Sequence, residues 1–272
     1  VVAYTVLGGL LAVAATDFLQ GMVLITGLFV LLIVMLFQEP RFAEAWASID
    51  PSRFSFRQPD SSGWLESLNT WLVPICGSVV AQELVARVIA ARSPSVASRG
   101  ALAGGSMYIL IGLIPVTLGL VAAQLYPGME NTEGVIPMLA ETYLHDVLYV
   151  IFIGALISAI LSTVDSALLV ASSLISHNIV ASIKPESTEQ MRIRSARIWV
   201  VVFGTAAVLI ALRAEGVYDL VVEASSFGTA GIFTLVTFGL FLKRGGVKTA
   251  LSTLVVSMSL WLVGNYILEL PW

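Results

Sequence analysis

Long apolar stretches, repeated along the chain and separated by short charged loops, limit the folds open to this sequence. Seven of them are each long enough to cross a bilayer as a helix, since a spanning helix needs roughly 20 residues. They lie at about 13–37, 68–90, 101–125, 147–180, 197–213, 218–242 and 248–268. Only 12% of the 272 residues are charged, against roughly 25% in a soluble domain. The sequence therefore predicts an all-α, multi-pass protein of the cell membrane.

The first residues, 1 to 7, have the composition of the end of a further span, which we expect Gly8 and Gly9 to close. The chain does not begin with methionine and has no basic residue before Arg41. We therefore expect residues 1–272 to be a single transmembrane domain and the C-terminal part of a longer protein.

The distribution of basic residues predicts the orientation. Ten of the 14 Lys and Arg residues fall on one side of the predicted membrane, which is cytoplasmic by the positive-inside rule. The loop 126–146 carries carboxylates but no basic residue, so we expect it to be external, with a short helix within 131–146. A second short helix is predicted within 39–54, at the membrane interface. The net charge of −4 gives no indication of nucleic-acid binding.

Residues 158–173 (SAILSTVDSALLVASS) place six hydroxyls and the carboxylate of Asp165 within an apolar span. At about 100° per residue, most of these groups share one side of a helix. An ionised group at mid-bilayer costs on the order of 3 kcal/mol, so a cavity, an ion or a partner helix must stabilise it. Hydroxyl and carbonyl oxygens suit a hard cation such as Na⁺. Alternatively, small serines let helices pack closely and bond their own backbone.

Four motifs, in this order along the chain, resemble the sodium/solute symporter family, which includes proline, pantothenate and sugar cotransporters. They are YTVLGGLLAVAATDFLQG (4–21), ARVIAARSPSVASRG (86–100), SAILSTVDSALL (158–169) and GLFLKRGGVKTA (239–250). The resemblance implies a leucine-transporter-like fold of five-plus-five inverted repeats, with substrate and ion at the midplane. It also implies that the first repeat is largely missing from this chain.

The resemblance further implies a sodium site on the eighth core helix, formed by the carbonyl of Ala159 and the hydroxyls of Ser162 and Thr163. In the same way, Asp17 would hold sodium on its way to the cytoplasm, and Asp165 would tune the site. An acid at position 17 is also what the N-terminus of an interfacial helix favours through its macrodipole. That alternative stays open.

Four residues are predicted to contact the solute: Gln82, Glu83, Ser225 and Ser226. Pro74 and Gly77 can interrupt the second full span, as the binding helices of such folds are interrupted. Glu83 has an alternative role, because it could pair with Arg87 one turn later on the same helix.

These features predict a sodium-coupled symporter of a small organic solute. The sequence has no convincing nucleophile–base pair and no glycine-rich phosphate loop, so an enzyme is not predicted. The predicted partners are Na⁺, a small organic solute and the lipid bilayer. Two alternatives remain, a solute-sensing membrane module of a signalling protein and a proton-coupled transporter of the same fold.

Overall fold

The computed structural model describes residues 2–56, 64–129, 131–183, 186–212, 216–242 and 245–268. The helices are α1 (Val2–Gln38), α2 (Phe42–Ala47), a 3₁₀ turn (Pro51–Phe54), α3 (Trp64–Val79), α4 (Gln82–Ile89), α5 (Pro94–Leu125), α6 (Val135–Tyr143), α7 (Asp146–Leu174), a π-helix (Ile175–Val180), α8 (Ala181–Ile183), α9 (Glu189–Ala211), α10 (Val217–Phe241) and α11 (Val247–Tyr266). Within these ranges, seven helical segments are long and apolar enough to span a membrane. The prediction of an all-α membrane protein is confirmed, and the inverted repeat stays a prediction.

Helix α1 is longer than the sequence suggested. It continues through Gly8 and Gly9, so the expectation that these glycines close a span is wrong. A glycine inside a helix costs about 1 kcal/mol. A break in an apolar environment would instead leave backbone N–H and C=O groups unpaired, at several kcal/mol each. The second cost is the larger, and the helix continues.

The second predicted span is interrupted, but at a different place from the one expected. Pro74 and Gly77 both lie inside α3, and the break falls at residues 80 and 81. Ala81 has φ −55° and ψ 126°, which is not a helical conformation. Proline removes a single N–H donor, for which neighbouring groups can compensate. The helix therefore passes through Pro74 and ends one turn later.

The helices form two compact units. The first comprises Val1–Ile49 and Ala91–Leu212, and the second comprises Asp50–Ala90 and Arg213–Trp272. Each unit joins segments that are distant in sequence, so the contacts within each one depend on long-range packing rather than on chain order.

The hydrophobic core of the first unit lies where α6 packs against the ends of α1 and α5. Leu31, Leu118 and Leu139, one from each of these helices, are fully buried. The short helix expected within 131–146 is confirmed as α6. The helix expected within 39–54 is confirmed as α2, which packs against α5.

Helices α1 and α7 pack antiparallel in the first unit. Asp17 of α1 meets Ser162 of α7, and Gly27 meets Phe152. A methyl group on Gly27 would overlap the buried Phe152 ring, so this contact requires a residue without a side chain. The two contacts lie ten residues apart on each helix, about 15 Å along the axis. They fix one register between α1 and α7 over that length.

In the second unit, α10 packs against both α3 and α11. A Cβ atom on Gly77 of α3 would lie 3.2 Å from Oγ1 of Thr229, so glycine allows this close approach. On the other side, Nε1 of Trp261 donates a hydrogen bond to Oγ of Ser226 over 3.0 Å. The Trp261 ring also meets Phe227 edge-on, with centroids 5.0 Å apart. Small residues thus hold α10 to α3, and an aromatic contact holds it to α11.

Candidate functional site

Most polar residues within 158–173 of α7 fall into a buried or an exposed set, and Ser158 is half-buried. The buried set contains Ser162, Asp165, Ser166 and Ser172. The exposed set contains Thr163 and Ser173. The expectation of one polar stripe is confirmed for the buried set, and the two exposed residues lie outside it.

Asp17 lies in the interior of α1, far from either end of the helix. Its carboxylate accepts a hydrogen bond from the hydroxyl of Ser162. Because the macrodipole acts within the first turn of a helix, the reading of Asp17 as a helix N-terminal acid is wrong. The structure instead brings together a residue predicted for the ion pathway and one predicted as a sodium ligand. Since the hydroxyl proton points to the carboxylate, the oxygen lone pairs of Ser162 can serve a cation.

The other two predicted sodium ligands lie together on a different side of α7. The hydroxyl of Thr163 donates a hydrogen bond to the carbonyl of Ala159 over 3.1 Å. Adjacent residues of a helix point about 100° apart, so the exposed side chain of Thr163 points away from the side on which Ser162 meets α1. Threonine often bonds the carbonyl one turn earlier in this way. A cation that uses both oxygens must replace this hydrogen bond.

Asp165 is among the most deeply buried side chains described, with 1% of its surface exposed. It lies three residues after Ser162 and therefore about one helical turn away. An ionised carboxylate so placed needs compensating partners. The tuning role expected for Asp165 stays a prediction.

The facing sides of α1 and α7 change from apolar to polar at the same level. The inward side of α1 runs through Met35, Leu31, Leu28, Gln20 and Asp17. The inward side of α7 runs through Phe152, Ala155, Ser162, Ser166 and Ser172. Because Asp17 meets Ser162, the polar halves face each other. We call Asp17, Gln20, Ser162 and Ser166 the polar seam.

Three buried polar atoms of the described residues have no hydrogen-bond partner: Oε1 of Gln20, Oγ of Ser172 and Oγ of Ser176. Nearly all buried polar groups in proteins are paired, so such atoms mark places where a ligand or water belongs. Gln20 was not among the residues predicted from the sequence. The available signals were its place in the motif 4–21 and its spacing of three residues from Asp17, which puts both on one helix face.

The four predicted solute residues all belong to the second unit. Gln82 is exposed and begins α4 directly after the break at 80–81. Glu83 follows it, and its side chain, with the expected pairing to Arg87, lies outside the described residues. The carbonyl of Ser225 accepts a hydrogen bond from a threonine one turn later on α10. Ser226 accepts the bond from the α11 indole, so its hydroxyl takes part in helix packing.

A hydrogen-bonded network ties α6 to the end of α1. Oη of Tyr143 donates to Oε2 of Glu39 over 2.6 Å, and Oη of Tyr126 lies 3.3 Å from Oη of Tyr143. Nε of Arg41 forms an ion pair with Oε1 of Glu39 at 3.2 Å. The bond from Tyr143 lowers the pKa of Glu39. Burial, and then the bond to Glu39, raise the pKa of Tyr143.

Comparison with known proteins supports the family suggested by the four motifs. The model of the sodium:solute symporter family matches residues 1–257. The chain is 26% identical over 273 residues to the sodium/pantothenate symporter of Haemophilus influenzae, covering 97% of this chain and 55% of that protein. It is 28% identical over 265 residues to the high-affinity proline transporter PutP of Bacillus subtilis, covering 94% and 55%. With the high affinity choline transporter 1 of Homo sapiens it shares 26% identity over 278 residues, covering 96% and 48%.

The chain spans about half the length of the curated relatives it matches. The family match nevertheless covers nearly all of the chain, including the polar seam and both segments that carry the predicted solute residues. Its seven membrane-spanning segments within the described ranges make it a multi-pass membrane protein. The chain belongs to the sodium:solute symporter family.

Proposed function

We propose that the protein containing this chain is a sodium-coupled symporter that carries a small organic solute across the cell membrane. The observation that carries this proposal is the contact between Asp17 and Ser162, which sets a carboxylate against a hydroxyl between two membrane-spanning helices. Ionisable residues at such positions are costly and usually serve an ion or a specific partner. Relatives named as symporters or transporters of pantothenate and proline support the same function.

In the proposed sodium site, the ligands on α7 are the carbonyl of Ala159 and the hydroxyls of Ser162 and Thr163. These neutral oxygens suit a hard monovalent cation. Sodium would replace the hydrogen bond between Thr163 and Ala159 with ion–oxygen contacts. Asp17 holds the proton of Ser162 away from the ion and becomes the next partner of sodium as it leaves for the cytoplasm. Asp165 adds negative potential from one turn away.

The solute is proposed to bind beside the interruption between α3 and α4. Gln82 and Glu83 begin α4, where the first backbone N–H groups of a helix have no intrahelical acceptor. Polar groups of a solute can pair with these donors and with the two side chains. Ser225 and Ser226 complete the proposed set on α10, where the bond to the α11 indole fixes the position of Ser226. Pantothenate, proline and choline, named in the relatives, are all small polar organic molecules.

Coupling between the two ligands requires that both favour the same conformation of the protein. Sodium then raises the population of the state that binds solute, and the solute raises the affinity for sodium by the same factor. Coupling free energies of this kind are typically about 1–3 kcal/mol, which corresponds to roughly 5- to 150-fold in affinity.

Uptake of a panel of labelled solutes, with sodium or potassium as the external cation, tests this function. We expect at least one solute to require sodium. The double variant Ser162→Ala, Thr163→Ala should raise the sodium concentration for half-maximal uptake at least about tenfold, since ~1.4 kcal/mol of lost ligand interaction suffices for that change. Ser173→Ala, which changes an exposed serine of the same helix, is the matched control and should leave it unchanged.

Two results would contradict the proposal. Uptake that follows a proton gradient and ignores sodium would make the protein a proton-coupled transporter. Sodium-dependent uptake that the double variant leaves unaltered would keep the function but remove the site from α7.

A further inference from the structure

A cleft of about 550 Å³ lies between α10 and α11, near the point where the chain passes from one helix to the other. The apolar side chains of Leu235, Phe238 and Leu242 line one wall, and Thr249 and Thr253 line the opposite one. Leu235 and Leu242 are seven residues apart, so the apolar wall extends about 10 Å along α10. The cleft therefore reaches from the ends of these helices into the apolar part of the span.

The link between the two helices is strongly basic. Lys243, Arg244 and Lys248 lie within six positions, and no acidic residue occurs between Glu223 and Glu269. Lys248 is exposed and forms no ion pair with a described residue, and the other two basic positions lie outside the described residues. The positive-inside rule predicts that this link is cytoplasmic. The sequence thus joins three uncompensated cations to a segment that lines the cleft.

The beginning of α11 adds hydrogen-bond donors at the same place. Its N-cap is Gly246, which has no side chain to accept a bond from the first backbone N–H groups. The first bond within the helix runs from the N–H of Ala250 to the carbonyl of Gly246 over 3.0 Å, so the three preceding N–H groups have no acceptor in the helix. Lys248 adds a positive charge to the positive end of the macrodipole, which is unfavourable. An anion at this end would offset both.

A basic mouth above an apolar wall fits an amphipathic, anionic ligand. A soluble phosphate would pair with the basic residues but would leave Phe238 and Leu242 uncovered, with 54% and 47% of their surfaces exposed. A lipid without net charge would cover the apolar wall but would not compensate the basic residues. An anionic phospholipid has both parts, and basic pockets between membrane helices on the cytoplasmic side bind the head groups of such lipids.

We propose that the cleft between α10 and α11 binds one anionic phospholipid of the cytoplasmic leaflet. Its phosphate pairs with Lys248 and with the first N–H groups of α11, and one acyl chain lies along Leu235 and Phe238. This inference goes beyond the proposed function, because it involves neither the sodium site nor the solute site. It gives a role to the motif 239–250, which the proposed transport function leaves unexplained.

Thermal unfolding of the purified full-length protein in detergent tests the head-group contact. The protein is titrated with dioleoylphosphatidylglycerol or dioleoylphosphatidylcholine, which have the same acyl chains but differ in net charge. We expect phosphatidylglycerol to raise the unfolding temperature at a lower concentration. Lys248→Gln should raise its half-maximal concentration about fivefold, as expected for loss of one basic contact at a membrane surface. Arg194→Gln is the matched control, because Arg194 is an exposed arginine of α9 outside the cleft.

Gly239→Leu tests the acyl-chain contact without changing any charge. Gly239 lines the cleft, and a Cβ atom at this position would meet no other atom within 4 Å. A leucine side chain therefore fits the folded protein but occupies the space of the acyl chain. The half-maximal phosphatidylglycerol concentration should rise at least about tenfold, since displacing two buried methylene groups suffices for that change. Gly105→Leu, at an exposed glycine of α5 with the same free space, is the control.

Several results would overturn the proposal. Equal stabilisation by the two lipids, or stabilisation by glycerol 3-phosphate alone, would mean that the protein does not select an anionic lipid. An effect of Arg194→Gln as large as that of Lys248→Gln would mean diffuse attraction to the whole basic surface. An unchanged titration of Gly239→Leu would mean that the lipid binds elsewhere. If Gly239→Leu does not fold, Lys248→Glu decides instead: it should abolish the preference for phosphatidylglycerol, and a preserved preference overturns the proposal.

Discussion

Replacing Tyr143 with phenylalanine removes one oxygen atom from the network that joins α6 to the end of α1. The lost bond is short, 2.6 Å from Oη of Tyr143 to Oε2 of Glu39, and its acceptor is a carboxylate. Hydrogen bonds to charged groups contribute about 1.5–3 kcal/mol. The carboxylate keeps its ion pair with Arg41 at 3.2 Å, so it is not left wholly unpaired. We therefore expect the free energy of unfolding to fall by about 2 kcal/mol, in the lower half of that range.

A loss of this size is measurable as a change in unfolding temperature. At roughly 2–4 °C per kcal/mol for chains of 150–250 residues, and less for longer chains, Tyr143→Phe should unfold at most about 4–8 °C earlier at pH 7. Tyr126→Phe is the matched control. Its hydroxyl lies 3.3 Å from that of Tyr143 and forms a longer, neutral bond, so its loss should be at most about 1 kcal/mol.

The pH dependence of this difference follows from the lowered pKa of Glu39. Because that pKa is lower in the folded than in the unfolded protein, the stabilisation is complete above the unfolded value and is lost as the pH falls through the folded value. The effect of Tyr143→Phe should therefore be constant near neutral pH and shrink below about pH 4. An effect no larger than that of Tyr126→Phe, or one equally large in acid, would refute this reasoning.

Two further substitutions test the packing of each unit. Gly27→Ala adds a methyl group that would overlap the Phe152 ring, and overpacking of this kind costs about 1–3 kcal/mol. Its unfolding temperature should fall, and an unchanged value would mean that the α1–α7 register is not fixed at this contact. Trp261→Phe removes the Nε1 donor to α10 and should cost about 0.5–1.5 kcal/mol, measured by chemical unfolding. An unchanged stability of Trp261→Phe, which has no polar hydrogen to donate, would show that the indole N–H contributes nothing.

The sequence predicted the features that depend on local periodicity. The apolar lengths located the spans, and the helical wheel placed Ser162, Asp165 and Ser166 on the buried side of α7, because a regular helix fixes the direction of each side chain. The orientation of Thr163 was harder to predict. Its hydroxyl could contact either a cation or the carbonyl of Ala159, and the sequence alone does not decide between these two partners.

Features that depend on long-range contacts were not predictable in the same way. Glu39 and Tyr143 are 104 residues apart, and no local pattern relates them. Asp17 was placed near the end of a helix, since nothing in the sequence indicated that α1 continues through two glycines. The interruption after α3 was expected, but its position was wrong, because the helix can compensate for one missing N–H at Pro74.

The fit between Gly27 and Phe152 bears on how the first unit can move. The Phe152 ring packs directly against the backbone of Gly27, so α1 and α7 cannot slide along each other without losing this contact. In the transport cycle that we propose, α1 and α7 would then move together as one body. The carboxylate of Asp17 and the hydroxyl of Ser162 would keep their spacing during such a movement. Access to this pair would then change through movement of the surrounding helices.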